Sequence, residues 1–440
     1  MAVQAASPFT ALAAFILAKA HTLDEAIAQK ALDPPNFEKW TLADLTIEEE
    51  DLRKSIVDGC HRLKLLASGP VGQFYDIAFN FTDYQSLRFL HGNEVFAHIP
   101  DDEPISFTDL ASLTKLDWVL LRRFLHHAMI NGFTTEPRPG FVAHTSSSRI
   151  WKHNKGLRDT ISFLMSDIGP GARFVNEAHE RWPNSVEPNE TGFNIAENTM
   201  DPFYLHLAKD KERSRRFGNG MKFIAHADLY SFDIKHLVNS FPWTSIDTPG
   251  STIVDVGGGH GTVSRELHDH TTHTKFIVQD LPGTASEGER ALPEQYKSRI
   301  SFMPHDFFNP QPIAGASVYL FRWILHNWAD PYAIKIIRNQ TAVMKPGAKI
   351  IVQEQMPDAT SDTRWSAKSK RNLDMIQATA WNSLERTLPD WEKLFKEADP
   401  RLVFKGATTP RGSCQTLILA EMGDGAEVPN GVQNGEAHDR

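Results

Sequence analysis

The sequence VDVGGGHG at residues 254–261 is an apolar run that leads directly into a glycine-rich loop. Glycines at such a point let a ligand approach the backbone closely, as they do where a strand turns into a helix in α/β domains. Thr262 stands where a dinucleotide-binding G-x-G-x-x-G motif has its third glycine, so the pyrophosphate fingerprint is incomplete. An ordinary tight turn is the alternative interpretation of the loop alone.

The residues around this loop alternate between short β-rich runs and helical stretches. Such alternation predicts an α/β fold with a Rossmann-like, doubly wound, mostly parallel sheet. Two late runs, at 402–404 and 416–419, are close enough in sequence to form an antiparallel pair at one edge. The parallel strands are predicted at 252–256, 275–279, 300–303, 317–320 and 349–352.

Acidic residues follow the first three predicted strands. Asp255 lies in the first strand just before the loop, Asp280 follows the second and Asp306 the third. Acids at successive strand ends suit the hydroxyl groups of a ribose and repel a diphosphate. This pattern favours S-adenosylmethionine over NAD, because a sulfonium is positively charged. Phe307 is either an apolar wall for adenine or a core aromatic.

The fourth strand leads into RWILHNWAD at 322–330. A histidine in such a segment is more often a packed or surface residue than a catalyst. His326, however, lies just beyond the carboxyl end of a strand, where ligands bind in open α/β sheets. Glu354, after the fifth strand, and Glu385 are acids that could orient it. An acid that fixes the tautomer of a histidine base is the logic of a catalytic triad.

The N-terminal half has mainly helical spacing, beginning with an apolar stretch at 9–18 that we interpret as an amphipathic helix. Within this half, the pattern at 101–150 is helix, turn, helix and hairpin, which is typical of a winged helix. That segment has five basic and six acidic side chains, so it lacks the basic face of a DNA-binding module or transcriptional regulator. The charged residues 206–216 are interpreted as a solvated helix face.

The composition excludes several classes of protein. A chain of 440 residues exceeds the size of one core and predicts at least two units. A net charge of -9 argues against a general nucleic-acid or membrane-surface binder. Two cysteines, Cys60 and Cys414, provide neither a disulfide framework nor a zinc site, so we expect a cytoplasmic protein without metal. Residues 422–440 have the composition of a disordered tail.

These motifs together resemble the S-adenosylmethionine-dependent O-methyltransferases of the caffeate and flavonoid type, particularly their fungal secondary-metabolism relatives. The resemblance extends to about residue 420 and includes VDVGGGHG, QDLP, PHDFF, RWILHNWAD, IIVQE and ERT. It implies His326 as the base, oriented by Glu354 and Glu385. The chain departs from the common plant pattern at Arg322, where Lys is usual, and at Asn327, where Asp is usual. The cofactor contacts that it implies are Gly257, Gly258, Asp280, Asp306, Phe307 and Arg322.

The resemblance also implies an organisation and a reaction. Residues 1–240 would form a helical dimerisation domain, 241–421 the catalytic domain, and the enzyme would be a homodimer that methylates a hydroxyl, expected to be phenolic, of a small molecule. The acceptor itself is not identified. A methyltransferase-fold enzyme that catalyses a dehydration or pericyclic step instead is the alternative. Candidate walls of the cofactor and acceptor pocket, each equally interpretable as core, are Phe193, Met200, Met221, Met375 and Trp381.

Overall fold

The computed structural model describes residues 7–42, 45–224, 231–360 and 362–425. The chain forms two compact units. The first comprises the described residues of Met1–Asp233 and Thr360–Asn382, and the second those of Ile234–Ala359 and Ser383–Arg440. The predicted division at residue 240 places every later residue of the fold in the second unit, whereas residues 360–382 belong to the first unit.

Helices dominate the first half of the chain, and helices alternate with strands in the second half. The helices of the described residues are α1 (Pro8–Gln29), α2 (Ile47–Gly92), α3 (Phe107–Thr114), α4 (Trp118–Ile130), α5 (Ser146–His153), α6 (Lys155–Ser162), α7 (Gly169–Ala172), α8 (Val175–Arg181), α9 (Gly192–Glu197), α10 (Phe203–Leu207), α11 (Lys211–Ile224), α12 (Lys235–Ser240), α13 (Thr262–Asp269), α14 (Pro282–Ala291), α15 (Asp330–Thr341), α16 (Lys368–Ala380) and α17 (Leu388–Ala398). The strands are β1 (Ile105–Ser106), β2 (Thr134–Arg138), β3 (Phe141–His144), β4 (Thr252–Val256), β5 (Lys275–Asp280), β6 (Ile300–Pro304), β7 (Val318–Arg322), β8 (Lys349–Glu354), β9 (Leu402–Thr408) and β10 (Thr416–Met422).

The second unit is built on a seven-stranded sheet of the order β6-β5-β4-β7-β8-β10-β9, within the described residues. Strands β4 to β8 are parallel to one another, and β10 is antiparallel to both β8 and β9. The predicted parallel strands and the antiparallel pair at one edge are confirmed. The strand order reverses beside β4, so the glycine loop after β4 opens at the switch point where ligands bind in such sheets.

Both faces of this sheet are covered by apolar residues. Along β4, Val254 and Val256 belong to one buried cluster and Ile253 to another. Successive side chains of a strand point to opposite faces, so a strand with two covered faces has a nearly continuous apolar run. This explains why β4 is almost entirely apolar and why Asp255 in its interior requires a partner.

The first unit is mainly helical. The helix predicted at the N-terminus is confirmed as α1, although Phe9 and Phe15 of its apolar stretch remain 49% and 44% exposed. The helix packs closely on α2, since a Cβ at Gly59 would lie 2.8 Å from Ile16 Cγ1. Helix α2 is interrupted at Gly69 (φ +63°), immediately before Pro70. After this break α2 presents exposed apolar side chains, including Phe74, which is 80% exposed.

The segment at 101–150 has the predicted order of helix, helix and hairpin. Helices α3 and α4 precede the antiparallel strands β2 and β3, and β1 adds to the other edge of β3. Its identity as a winged helix and its use in dimerisation stay predictions.

The prediction of a solvated face at 206–216 is confirmed only in part, since residues 208–212 are exposed. Helix α11 carries Arg213, Arg215 and Arg216 against buried carboxylates of the same unit. Arg213 Nε donates to Asp167 Oδ1 at 2.7 Å, and Arg215 Nη1 donates to Asp159 Oδ2 at 3.0 Å. The run of charges could not reveal this burial, because the partner acids lie some fifty residues earlier in the chain.

Two further features concern the chain as a whole. Across the described residues we find no helix with the length and apolarity needed to cross a membrane. Strand β10 continues to Met422, and residues 426–440 of the predicted tail (422–440) lie outside the described residues.

Candidate active site

The loop after β4 has no room for side chains at its first two glycines. Gly257 has φ +72°, and a Cβ there would lie 2.5 Å from Ile324 Cδ1. A Cβ at Gly258 would lie 2.6 Å from Asp255 Cγ. Any substitution at either position would therefore displace a neighbouring side chain of the site. At Gly259 no heavy atom lies within 4 Å of the Cβ position, so the loop is open on that side.

Asp255 lies beneath this loop and is fully buried. It accepts a hydrogen bond from Ser264 Oγ at 2.7 Å, which ties β4 to the first turn of α13. Burial raises the pKa of its carboxyl to about 6, although the bond from Ser264 opposes the shift. The structure therefore gives Asp255 a structural partner within the unit, rather than the exposed ligand contact that its position suggested.

Asp280 ends β5 and holds the same loop from the other side. Its carboxylate accepts hydrogen bonds from the backbone N–H of Gly259 at 2.9 Å and of Leu281 at 2.8 Å. Burial raises the pKa of Asp280, and these two bonds oppose the rise. Asp280 and the glycine loop thus lie together at the carboxyl end of the sheet, as predicted.

Asp306 and Phe307 follow β6 at the same edge of the sheet. Asp306 is exposed, and its Oδ1 accepts from the backbone N–H of Phe308 at 2.9 Å. Phe307 is half-buried and packs against the rings of Phe308 and Trp328, with centroid distances of 5.1 and 5.9 Å. An aromatic face at a strand end can be both core and ligand wall.

Arg322 ends β7, and two glutamines hold its guanidinium. Its Nε donates to Gln353 Oε1 at 2.9 Å and its Nη2 to Gln415 Oε1 at 3.2 Å, and both glutamines are buried. The guanidinium also lies 4.8 Å from the ring centroid of Trp323. Lysine, which is the usual residue of the family at this position, could not donate hydrogen bonds to both side-chain amides in this fork geometry.

His326 lies in a short 3₁₀ turn, Leu325–Asn327, directly after β7, and only 6% of it is exposed. Its Nδ1 donates to Glu385 Oε1 at 2.7 Å. Burial alone would lower the pKa of His326, but the Glu385 carboxylate, assisted by Glu354, raises it above the ordinary value. The prediction that Glu385 contacts the imidazole agrees with this geometry.

Glu354 does something different from what its predicted role implies. Its Oε1 accepts from the backbone N–H groups of Ile324 (3.2 Å), Leu325 (2.7 Å) and His326 (3.1 Å). The carboxylate therefore orients the turn that carries the histidine, and its hydrogen bonds go to backbone rather than to the imidazole ring. Burial raises the pKa of Glu354, because the charged form is poorly solvated there.

Two residues beside Glu385 hold the same turn and were missed by the sequence reasoning. Ser383 Oγ donates to the carbonyl oxygen of His326. Arg386 is completely buried and donates to the carbonyl oxygens of Leu325 and Trp328. The ERT motif contains Arg386, but burial of an arginine leaves no pattern in the sequence.

The candidate acceptor-side residues all belong to the first unit, which includes Met375 and Trp381 through the segment 360–382. Phe193 and Trp381 lie in one aromatic cluster, where each packs against Phe203, at 4.9 and 4.8 Å between ring centroids. Met221 packs at the margin of this cluster. Met200 and Met375 are each 61% exposed, so the structure does not bring them into the cluster.

The residues of the second unit fit S-adenosylmethionine. The loop at 257–259 is bare of side chains and open at Gly259, and a nearby carboxylate, Asp280, can accept hydrogen bonds from ribose hydroxyls. Negative charge at this position favours a sulfonium and disfavours a pyrophosphate. Within the ranges that the structure describes, no group of three or more His, Cys, Asp or Glu is arranged to hold a metal ion.

Comparison with known sequences identifies the family. A family model for an O-methyltransferase domain matches residues 192–399. The chain is 36% identical over 378 residues to the chlorophenol O-methyltransferase of Trichoderma longibrachiatum, covering 85% of this chain and 80% of that relative. Other fungal relatives, 30% to 34% identical, are also named O-methyltransferases.

Solved structures show the same fold. OxaC in complex with SAH and oxaline superposes with a TM-score of 0.76 at 21% identity, covering 94% of this chain and 98% of OxaC. A protein described as a pericyclic reaction enzyme superposes with a TM-score of 0.72 at 21% identity, covering 92% of this chain and 99% of its own. The chain is therefore a member of the plant-type family of S-adenosylmethionine-dependent O-methyltransferases and has the class I methyltransferase fold.

Proposed function

We propose that this enzyme methylates a phenolic hydroxyl of a small aromatic metabolite, with His326 as the general base. The observation that carries the proposal is the 2.7 Å hydrogen bond between His326 Nδ1 and Glu385 Oε1. A proton held on Nδ1 by a carboxylate leaves the lone pair of the neutral ring on Nε2. Nε2 is then the atom that accepts the hydroxyl proton.

Proton removal matters because a phenol, with a pKa near 10, is mostly protonated at neutral pH. When bound, S-adenosylmethionine supplies an electrophilic methyl group on a sulfonium. His326 Nε2 would take the proton that the acceptor hydroxyl loses when its oxygen is methylated. Glu385 stabilises the imidazolium that results, as the acid of a triad does.

The protonation of His326 has a definite direction with pH. Its pKa is raised, so the ring becomes protonated, and unable to accept a proton, at a higher pH than an ordinary histidine. A base whose pKa is near the working pH combines availability with driving force. Activity should therefore fall on the acid side, with a midpoint above the ordinary value of 6.5.

The cofactor-side assignment rests on the strand ends of the second unit. Asp280 would accept hydrogen bonds from the ribose hydroxyls, and Phe307 with Asp306 would contact adenine. Gly257 and Gly258 would allow the cofactor to lie against the loop backbone. Arg322, held by Gln353 and Gln415, would contact the cofactor from the end of β7.

The acceptor side and the subunit organisation are proposals of the same kind. Phe193 and Trp381, with Met200 and Met375, would form walls of the acceptor pocket. A homodimer is supported by the exposed apolar side chains on the second half of α2, since large exposed apolar patches mark interaction surfaces. These side chains are Val71, Phe74, Tyr75, Ile77, Phe79 and Phe81.

The test uses a chlorophenol panel as acceptor and cofactor labelled in the methyl group. His326→Ala should lower turnover by about 10²- to 10⁴-fold, the usual contribution of a general base, and should keep cofactor affinity. His273→Ala, which removes an exposed histidine of the same unit, is the matched control. Undiminished methyl transfer by His326→Ala would remove His326 from the mechanism.

The alternative, a non-methylating reaction, is favoured only by the likeness in fold to the pericyclic reaction enzyme. The buried His326–Glu385 pair argues against a purely pericyclic step, because such a step removes no proton and does not require a base held by a carboxylate. S-adenosylhomocysteine formed in proportion to product supports methylation. Product formed without it would establish the alternative.

A further inference from the structure

The side chain of Arg386 donates hydrogen bonds to the backbone of the 3₁₀ turn that carries His326 and of the residue that follows this turn. It is completely buried. Its Nη1 donates to the carbonyl oxygen of Leu325 at 2.9 Å, its Nη2 to that of Trp328 at 2.7 Å, and its Nε to Asp330 Oδ1 at 2.9 Å. One planar group therefore connects the 3₁₀ turn to the first turn of α15.

The two carbonyl acceptors bracket His326. Leu325 begins the 3₁₀ turn and Trp328 follows it. The carbonyl of Leu325 also accepts from the backbone N–H of Trp328 at 3.2 Å, so Arg386 adds a second hydrogen bond to the one that closes the turn. The three nitrogens of the guanidinium each reach a different acceptor, two carbonyls and a carboxylate. An ammonium group has three donors on one nitrogen and cannot reproduce that spacing. A shift of Arg386 would move the backbone on which the imidazole is mounted.

The charge of Arg386 acts on the same histidine. Glu385 and Glu354 raise the pKa of His326, and Arg386 lowers it through its charge. Asp330, which pairs with Arg386 at 2.8 Å, has a side chain that is 40% exposed. Within this group of charges, the guanidinium limits the excess of negative charge around the imidazole.

We propose that Arg386 is a positioning residue for methyl transfer: it fixes the turn that carries His326 and offsets the charge of the two buried glutamates. This inference rests on the proposed function, because it gives Arg386 its role through the base His326. The segment that follows α16 then has two roles at His326. Glu385 holds the imidazole ring while its neighbour Arg386 holds the backbone beneath it.

Two substitutions separate geometry from charge. Arg386→Lys keeps the charge and loses the fork, whereas Arg386→Met loses both. Each should lower kcat by about 10²-fold, the cost of a displacement near 1 Å at a reacting group, and leave the affinity for S-adenosylmethionine unchanged. Only Arg386→Met should move the acid limb of the pH–kcat profile to higher pH, because removing a cation favours the protonated imidazole.

The matched control is Arg338, which donates to the carbonyl oxygens of Ala398 (3.0 Å) and Glu397 (2.9 Å) in the same unit. Arg338→Lys and Arg338→Met should leave kcat and the pH profile at wild-type values. A direct readout is the titration of the His326 ring by NMR, with the resonance assigned by its loss in His326→Ala. That titration should move upward in Arg386→Met and stay in place in Arg386→Lys.

Each result of these experiments either supports the role of Arg386 or overturns it. If both Arg386 variants keep wild-type kcat, or lose no more than the Arg338 variants, the inference is overturned. If Arg386→Met does not fold, Arg386→Lys and its NMR titration decide, and failure of both to fold assigns Arg386 to stability alone and overturns the inference. Full activity in His326→Ala would instead overturn the proposed function, so the two failures are distinguishable.

Discussion

Each unit of this enzyme contains a cluster of buried charge, and the two clusters are balanced differently. In the helical unit, Asp167 lies in a π-helical turn, Phe163–Ile168, and is 1% exposed. It pairs with Arg213 at 2.7 Å and with Arg216 at 3.7 Å, and Arg213 also pairs with Glu197 at 2.8 Å. Two carboxylates thus face two guanidiniums, with His206 at the margin, 3.2 Å from Glu197.

In the α/β unit, two buried carboxylates, Glu354 and Glu385, share the surroundings of His326 with the guanidinium of Arg386, which itself pairs with a third carboxylate, Asp330, at 2.8 Å. Backbone N–H groups bind one of these acids, and the imidazole of His326 binds the other. The excess of negative charge is what raises the pKa of His326 against the effect of burial. A balanced cluster stabilises a fold, whereas an unbalanced one gives a neighbouring group an affinity for a proton.

The largest expected effect comes from neutralising the acid that touches the ring. Glu385→Gln removes the charge and the tautomer preference of His326, so kcat should fall by about 10²- to 10⁴-fold. Glu392→Gln, an exposed acid on α17, is the control and should keep wild-type kcat. Turnover assays with cofactor at saturation measure the difference. A kcat for Glu385→Gln equal to that of the control would mean that charge imbalance does not make the base.

A substitution in the balanced cluster of the helical unit should change the free energy of unfolding and leave the pKa of His326 unchanged. Asp167→Ala removes the buried acid that Arg213 and Arg216 share and leaves Glu197 as the partner of Arg213. Breaking a buried pair in this way costs about 3–5 kcal/mol of unfolding free energy. Denaturant unfolding measures the loss, and Asp76→Ala, which removes an exposed pair with Lys64, should cause none that is measurable. The acid limb of the kcat profile should not move in the folded Asp167→Ala enzyme. A moved limb would contradict the division of tasks between the clusters.

The smallest expected effect concerns the second acid of the unbalanced cluster. Glu354→Gln removes one of the charges that raise the pKa of His326 and keeps an oxygen for the backbone N–H groups of the turn. The acid limb should therefore shift to lower pH, while kcat at its plateau falls less than in Glu385→Gln. A pH series of kcat/KM measures the shift. An acid limb that stays in place would show that Glu354 acts on the base through geometry alone.

Much of the α/β unit was accessible from the sequence because its signals are local. A glycine loop, acids at strand ends and a histidine after β7 all depend on residues adjacent in the chain, and parallel strands bring their carboxyl ends together. The role of Glu354 was less accessible, because contact with backbone rather than with the ring depends on the path of the turn. Arg386 was missed for the same reason.

The helical unit was harder to predict because its contacts join distant residues. The charges at 206–216 have the composition of a solvated face, and only the fold brings Asp159 and Asp167 beneath them. Trp381 follows the β-strand β8 in the chain, so the sequence places it with the sheet. Its membership of the first unit depends on a departure and return of the chain that no local pattern marks.

The segment 360–382 has a consequence for how the enzyme is made. A ribosome delivers the chain from the N-terminus, and units generally fold as they become complete. The aromatic cluster of the first unit includes Ala380 and Trp381, so this core cannot close until β4 to β8 have already been synthesised. During translation Phe193 and Phe203 lack Ala380 and Trp381 as packing partners, so a nascent chain interrupted before residue 380 exposes an incomplete aromatic cluster.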